Sequence, residues 1–578
     1  MRSRVDKIQN LYVQAVNKEK RGIQVMKKRI LSATMTSLLA ISMLLAGCSQ
    51  TTQAPPTEPA KTEQPAPTPA PEPAKNEPKQ LIVGRGGDSA GLDPIRETDG
   101  ESFKVTENIF DTLVGYEEES TKVVPSLAEK WEISGDGLTY TFTLRQGVKF
   151  HDGTDFNAEA VKWNFERWMD KSNPFHNQDG YYYYNDMFGG YKGDPNHVIK
   201  SVEAVDPHTV KFTLNYPLAP FIQNLGMSPF AIASPTAVQA AGADGFTEKP
   251  VGTGPFKFKE WKRNDTITLE KNPDYWNAGY PKVDTLVFKS IPENTARLTA
   301  LINGEIDLMD GLNPDDAETV QGNSDLQLIL RPSMNVGYIG FNVEKKPFDN
   351  PKVREAIAYA INKPAIVEAF FAGLGQPAVN PMPPTLWGHN DSIKDREFNL
   401  EKAKQLLAEA GFPNGFKTQF WAMPVPRPYM PDGVKIAEAI QQDLKQIGIE
   451  TEIVTMEWAT YLEKTRIGEQ TMFMLGWTGD NGDPDNFLAT LLDKNNIDGN
   501  NNTRWANDEA SQLMMKAKQA NTQAEREQLY KQVQEIIFKE VPMVPLAHST
   551  PALAARANIV DYKPHPKGSE SLEKVDIK

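Results

Sequence analysis

Met472-Phe-Met-Leu-Gly-Trp-Thr-Gly-Asp-Asn-Gly-Asp-Pro-Asp-Asn-Phe487 begins as a short apolar run and ends in turn-forming residues. Met472–Leu475 reads as a buried strand, and Gly476–Phe487 as the loop into which it opens. The loop carries three aspartates, three glycines and an indole. Upstream, helix and strand alternate. Leu400, Ala403, Leu406, Leu407 and Ala410 share one helical face, with Gly411 as the stop. Ile436, Ala437, Ile440 and Leu444 repeat the pattern up to Gly448, and a strand with Ile449, Ile453, Val454 and Met456 follows. Further helices are expected over Pro351–Ile361 and Ala524–Phe538. This alternation is the signature of an α/β fold, in which ligands sit at the carboxyl ends of strands. The quoted loop lies at such an end.

The N-terminal half is richer in strands. Leu81–Val83 reads as the first, and Tyr140–Leu144 and Val210–Leu214 alternate as strands with one wet face. About 500 residues from Gln80 onward exceed one core, so two or three domains are expected.

The first 79 residues read differently. Lys27-Lys28-Arg29 precede an apolar run, Ile30–Ala46, that closes with Leu45-Ala46-Gly47-Cys48. A basic head, a short apolar centre and small residues before a cleavage point make residues 1–47 a secretory signal, with Met26 the expected start; the run is short for a span that stays in a bilayer. The Leu-Ala-Gly-Cys ending resembles a bacterial lipobox, which implies that Cys48 is lipidated. It is the only cysteine, so an exported chain has no disulfide partner for it. Residues 48–79 follow as a linker with nine prolines between Pro55 and Pro78, too poor in apolar surface to fold. Residues 1–47 hold nine basic and two acidic residues, and their removal takes the net charge from −14 to −21. That balance argues against a nucleic-acid partner.

Several chemistries compete for the loop. Calcium fails in either register: from Asp480 the third and fifth positions are Gly482 and Pro484, and from Asp483 the fifth and sixth are Phe487 and Leu488. Gly87-Asp-Ser-Ala-Gly91 matches a hydrolase elbow around Ser89, but Val83 ends the strand early and Pro94 blocks an immediate helix. The seven histidines form no close pair, so no metal site is expected. Trp421-Ala-Met-Pro-Val-Pro-Arg-Pro-Tyr-Met-Pro431 follows the short strand Thr418–Phe420 and sets Arg427 among prolines, with Trp421 and Tyr429 beside it. A guanidinium so framed suits a carboxylate. Arg427 and Asp480 together could hold a small zwitterion end to end.

In order and spacing, the chain resembles the extracytoplasmic solute-binding proteins of peptide ABC transporters (family 5), most closely those that bind dipeptides. The landmarks are Pro125-Ser-Leu-Ala-Glu-Lys-Trp131, Tyr140-Thr-Phe-Thr-Leu-Arg-Gln-Gly-Val-Lys-Phe-His-Asp-Gly153, Val251-Gly-Thr-Gly-Pro-Phe256, Asn335-Val-Gly-Tyr-Ile-Gly-Phe-Asn342, Trp421–Pro431, Gly476–Phe487 and Ala547-His-Ser-Thr550. The resemblance implies a two-lobed periplasmic-binding-protein fold (type II, cluster C) with an extra small domain. Lobe I would comprise residues 80–117, 250–334 and 545–578, the small domain 118–249 and lobe II 335–544, with crossings near Arg331–Phe341 and Pro545–Ser549. It implies that Asp480 holds a ligand's amino group and Arg427 its carboxylate, with Tyr429, Trp477, Thr478 and Gly479 lining the site. Gly87, Asp88, Ser89 and Tyr182 (or a neighbour within Tyr181–Tyr184) would close it from the other side. It further implies a monomer at the outer face of the cell membrane, of Gram-positive type, working with permease subunits and needing no cofactor or metal. Glutathione, longer oligopeptides, haem or a nickel chelate remain alternative ligands; a serine hydrolase and a surface receptor are the readings of another class.

Overall fold

The computed structural model describes residues 78–578. The signal segment, Cys48 and the Pro-rich linker up to residue 77 lie outside the described residues.

Three main sheets organise the chain. The first has seven strands in the order Leu326–Leu330, Ala552–Arg556, Leu308–Met309, Gln80–Arg85, Thr285–Ser290, Thr266–Lys271, Phe256–Lys262. Its members come from three stretches far apart in sequence. The second has six strands: Gly375–Pro377, Met543–Ser549, Asn335–Phe341, Met472–Thr478, Phe416–Trp421, Ile449–Val454. The third, of four antiparallel strands, is Ala128–Ile133, Thr139–Leu144, Thr209–Leu214, Ile199–Asp206. Here the alternation read from the sequence is realised: Tyr140, Phe142 and Leu144 are buried, and so are Val210, Phe212 and Leu214. Phe142 and Phe212 meet edge to face at 5.6 Å. A buried ion pair, Arg167 with Asp93, ties this module to the stretch that follows Gln80–Arg85.

Helices pack on the second sheet as their periodicity demands. Asn399 caps Leu400–Glu409 by accepting from the Lys402 amide at 2.9 Å. Gly411, at φ +93°, ends it in a backbone conformation that costs glycine nothing. Gly433–Lys445 buries Ile436, Ala437, Ile440 and Leu444, and each of the larger side chains contributes about 1.5–3 kcal/mol relative to exposure. The remaining expected helices are Pro351–Ala360 and Gln523–Glu540.

The chain passes between the first two sheets twice. Leu326–Leu330 leads to Asn335–Phe341, and Met543–Ser549 returns to Ala552–Arg556. The whole strand Met543–Ser549 belongs to the second sheet, pairing with Asn335–Phe341, so the return falls at Thr550–Pro551 rather than beginning at Pro545. The crossings run side by side: the Arg331 amide donates to the Pro551 carbonyl at 2.9 Å. Asn335 secures the pair, its Nδ2 donating to the Ser549 carbonyl and its Oδ1 accepting from the Ser549 amide, each at 3.0 Å. Two adjacent connections of this kind are where one lobe can turn against the other.

Candidate functional site

The strand Met472–Thr478 is longer than the apolar run that announced it: Gly476, Trp477 and Thr478 stay in register with Gly337, Val336 and Asn335 of the antiparallel neighbour. Sequence reading ended it early because glycine and threonine resemble loop residues, whereas sheet pairing carries them. On its other side the strand runs parallel to Phe416–Trp421. Parallel strands finish at the same sheet edge, so Asp480, two residues beyond one, and Arg427, six beyond the other, emerge at the same end.

Gly337 and Gly476 face each other across the two strands. A Cβ on Gly476 would overlap the Tyr429 ring, and one on Gly337 the Tyr429 carbonyl. The two glycines therefore form a slot that seats Tyr429 and fixes the turn carrying Arg427, in which Arg427 and Met430 exchange backbone hydrogen bonds. The Arg427 guanidinium lies 5.2 Å from the centre of the Trp458 ring. Among the described residues no carboxylate forms an ion pair with it.

The three aspartates of the loop have different fates. Asp483 is buried and paired with Arg526 at 2.7 Å. Asp485 faces Lys518 at 3.3 Å. Asp480 has no cation within ion-pair distance among the described residues; its partners are neutral. Asn486 Nδ2 donates to Asp480 Oδ2 at 3.0 Å, and the Tyr183 hydroxyl donates to Asp480 Oδ1 at 3.3 Å. Asn486 Oδ1 accepts from the Asp480 amide at 2.9 Å and from Trp477 Nε1 at 3.0 Å. One asparagine thus locks the carboxylate and the indole together. Burial pushes the Asp480 carboxyl up to about 6, against the hydrogen bonds from Asn486 and Tyr183 that favour its ionised form. A half-buried carboxylate with neutral donors, and with no cation in ion-pair distance among the described residues, favours an approaching cation. Of the three aspartates, two are paired with cations of the following helices and Asp480 is not.

The lobes meet over this loop. Tyr183 lies on the helix Tyr182–Phe188 of the small module. Its neighbour Tyr182 accepts from Asn500 through its hydroxyl, and Asn481 Nδ2 donates to Asn224 Oδ1 at 2.8 Å. Tyr182 therefore does join the facing wall, but Tyr183 is the one that reaches Asp480. Thr478 pairs with Asn335, and the Gly479 amide donates to the Met334 carbonyl at 2.9 Å, so the site's floor is bonded to a crossing segment.

Gly87, Asp88 and Ser89 are placed otherwise than expected. Asp88 binds Arg85 at 3.1 Å, Trp261 Nε1 at 3.0 Å and the Asn264 amide at 2.8 Å. Ser89 Oγ accepts from Arg85 at 2.9 Å and donates to the Glu101 carbonyl at 3.2 Å. The Gly87 carbonyl accepts from Ser290. These groups hold their own loop at the end of Gln80–Arg85, and among the described residues none hydrogen-bonds to Asp480 or Arg427. Among the described residues no histidine hydrogen-bonds to Ser89, whose hydroxyl is taken up by Arg85 and the Glu101 carbonyl. Asn486 and Trp458 were missed by sequence reasoning, and Tyr183 was covered only by the range Tyr181–Tyr184; Asn486 had a local signal, closing the Asp-Pro-Asp-Asn turn.

Two α/β lobes joined by paired crossings, with unneutralised charge where they meet, define a two-lobed binding protein. The chain belongs to the bacterial extracellular solute-binding proteins, family 5, whose middle region matches residues 122–499. It is 40% identical over 511 residues, 86% of this chain and 94% of the other, to di/tripeptide-binding protein 1 of Pseudomonas aeruginosa (strain UCBPP-PA14). It is 39% identical over 559 residues, 95% and 99% of the two chains, to heme-binding protein A of Haemophilus influenzae (strain ATCC 51907 / DSM 11121 / KW20 / Rd). Among solved structures, the dipeptide-binding protein of Pseudoalteromonas sp. SM9913 in complex with Met-Leu superposes with a TM-score of 0.80 at 31% identity, covering 86% of this chain and 100% of that one.

Proposed function

We propose that the protein captures dipeptides between its lobes and delivers them to the permease of an ABC importer, tethered to the outer face of the cell membrane through lipid on Cys48. The observation that carries the reading is Asp480, half-buried, bonded only to neutral groups and with no cation in ion-pair distance among the described residues, at the same sheet end as Arg427. The ligand ammonium lies on Asp480 and its carboxylate on Arg427. An extended dipeptide spans no more than about 7 Å, so a longer peptide bound through its ammonium carries its carboxylate past Arg427. The two charges measure length. Trp477 and Tyr429 supply apolar walls, and side chains are accommodated by space and water rather than by dedicated contacts. Tyr183 comes from the opposite wall and touches the Asp480 carboxylate, so a ligand bridging both walls favours the closed arrangement.

The binding of Met-Leu by the Pseudoalteromonas relative supports this cargo, and the name of the Haemophilus relative makes haem the second candidate. Calorimetry of the Asp480→Ala variant with Ala-Ala tests the reading. Loss of several hundred-fold in affinity is expected, because a buried ammonium without its partner costs about 3–5 kcal/mol. Unchanged affinity removes Asp480 from the site, and haem binding without dipeptide binding replaces the cargo.

A further inference from the structure

Asp186 lies on the helix Tyr182–Phe188, within one turn of the tyrosines that meet lobe II. Its Oδ2 is buried and, among the described residues, has no hydrogen-bond partner. The groups that act on it electrostatically come from the facing lobe: Lys518, Asp485, Asp480 and Asp493. Lys518 is the one cation among them and is already engaged with Asp485 at 3.3 Å. Asp493 is occupied by the side chains of Asn495 at 2.9 Å and Ser511 at 3.0 Å. Four carboxylates and one ammonium leave this region with an excess of negative charge; among the described residues only Asp485 has an ion-pair partner, and of the other three Asp186 alone keeps a buried oxygen with no hydrogen bond.

We propose that Asp186 determines specificity: together with Asp480 it selects peptides whose first residue carries a cationic side chain. The inference rests on the reading of Asp480 as the partner of the ligand's ammonium. With that ammonium on Asp480, the first side chain branches from the adjacent carbon. A lysine or arginine arm carries its charge beyond Asp480 into the field of the second carboxylate on the opposite wall. A neutral first side chain leaves Asp186 without a counter-ion, and a cationic one supplies it. The second residue sits at the Arg427 end, where a positive side chain meets like charge. Selection therefore depends on position and not on total ligand charge, which separates it from general attraction to an acidic protein.

The test is calorimetry at pH 8 with Ala-Ala, Lys-Ala and Ala-Lys. Lys-Ala is expected to bind more tightly than Ala-Ala by up to about fivefold, the scale of a partly solvated ion pair, and Ala-Lys is expected to show no such gain. In Asp186→Asn the ratio of Lys-Ala to Ala-Ala affinity falls to about one. Equal affinities for Lys-Ala and Ala-Ala in the parent protein overturn the proposal without any variant, as does an equal gain for Ala-Lys or a ratio that survives Asp186→Asn. The underlying reading fails separately, if none of the three dipeptides binds or if Asp480→Asn leaves Ala-Ala affinity intact.

Discussion

Replacing Asp480 with Asn should strengthen the ligand-free fold while abolishing binding, and the two effects have one cause. Burial raises the Asp480 carboxyl from its ordinary 3.8 to about 6. Holding it ionised at pH 8 therefore costs the fold about 3 kcal/mol, at about 1.4 kcal/mol per pH unit. The sign follows from proton linkage. A raised carboxyl pKa means that the folded state binds the proton more tightly than the unfolded state does. The cost is fully present above about pH 6 and disappears as the pH falls towards 4. Asparagine retains the shape and a carbonyl for Asn486 Nδ2, and carries no charge. Urea unfolding of ligand-free Asp480→Asn at pH 8 should give a free energy higher than the parent's by up to about 3 kcal/mol, narrowing to near zero at pH 4. Calorimetry on the same samples should show the several hundred-fold loss for Ala-Ala expected above. A structural aspartate behaves in the opposite way: its removal lowers stability. Reduced stability of Asp480→Asn at pH 8, or a stability difference that does not change with pH, would refute the reasoning.

Other consequences follow from named contacts. Dipeptide affinity should fall about tenfold per pH unit between about 6 and 4, because the ligand's ammonium requires the ionised form of Asp480; a flat calorimetric profile over that range excludes Asp480 as the partner. Arg427→Met should relax length selection, so that tripeptide and dipeptide affinities converge; tripeptides excluded as strictly as before would show that the arginine measures nothing. Gly476→Ala should push Tyr429 out of its slot, an overpacking cost of about 1–3 kcal/mol, seen as weaker binding that a Tyr429→Ala background partly removes. Arg526→Met should lower stability by about 3–5 kcal/mol in urea unfolding, because it strands the buried Asp483.

The repeating elements were legible because their signal is local. Period-two alternation marked Thr139–Leu144 and Thr209–Leu214, and period 3.6 with a terminal glycine marked Leu400–Glu409 and Gly433–Lys445. What the residues alone could not supply was pairing across long separations. Asp480 and Arg427 read only as a plausible zwitterion trap; their assignment to ligand ends came from family resemblance. That Asp483 belongs to Arg526 and Asp485 to Lys518 depends on the helices Asp508–Gln519 and Gln523–Glu540 returning beneath the loop. Tyr183 reaching Asp480 across 297 positions has no local trace. The expectation for Gly87, Asp88 and Ser89 came from the family resemblance alone, which carries no information on local partners; in the structure Arg85 holds Ser89 and Trp261 holds Asp88.

The placement of the site beside the crossings gives the unpaired charge a further consequence. Thr478 is in register with Asn335, Asn335 clamps Ser549, and Gly479 bonds to Met334. The segment that presents Asp480 is thus bonded to the first of the two connections about which the lobes turn, and through Asn335 to Ser549, the residue just before the second. In the closed arrangement without ligand, Tyr183 offers Asp480 a neutral donor, which lessens the cost of burying the carboxylate without cancelling its charge. An ammonium does cancel it. Closure around a ligand is therefore favoured over closure on an empty site by the free energy of one buried charge, about 3 kcal/mol or roughly a hundredfold in population. Substituting Tyr183 with Phe removes the neutral donor and should deepen that contrast, leaving the ligand-free protein more open by small-angle scattering while the peptide-bound form stays as compact as the parent's. A ligand-free variant no more open than the parent would show that the closed state is held by contacts other than those around Asp480.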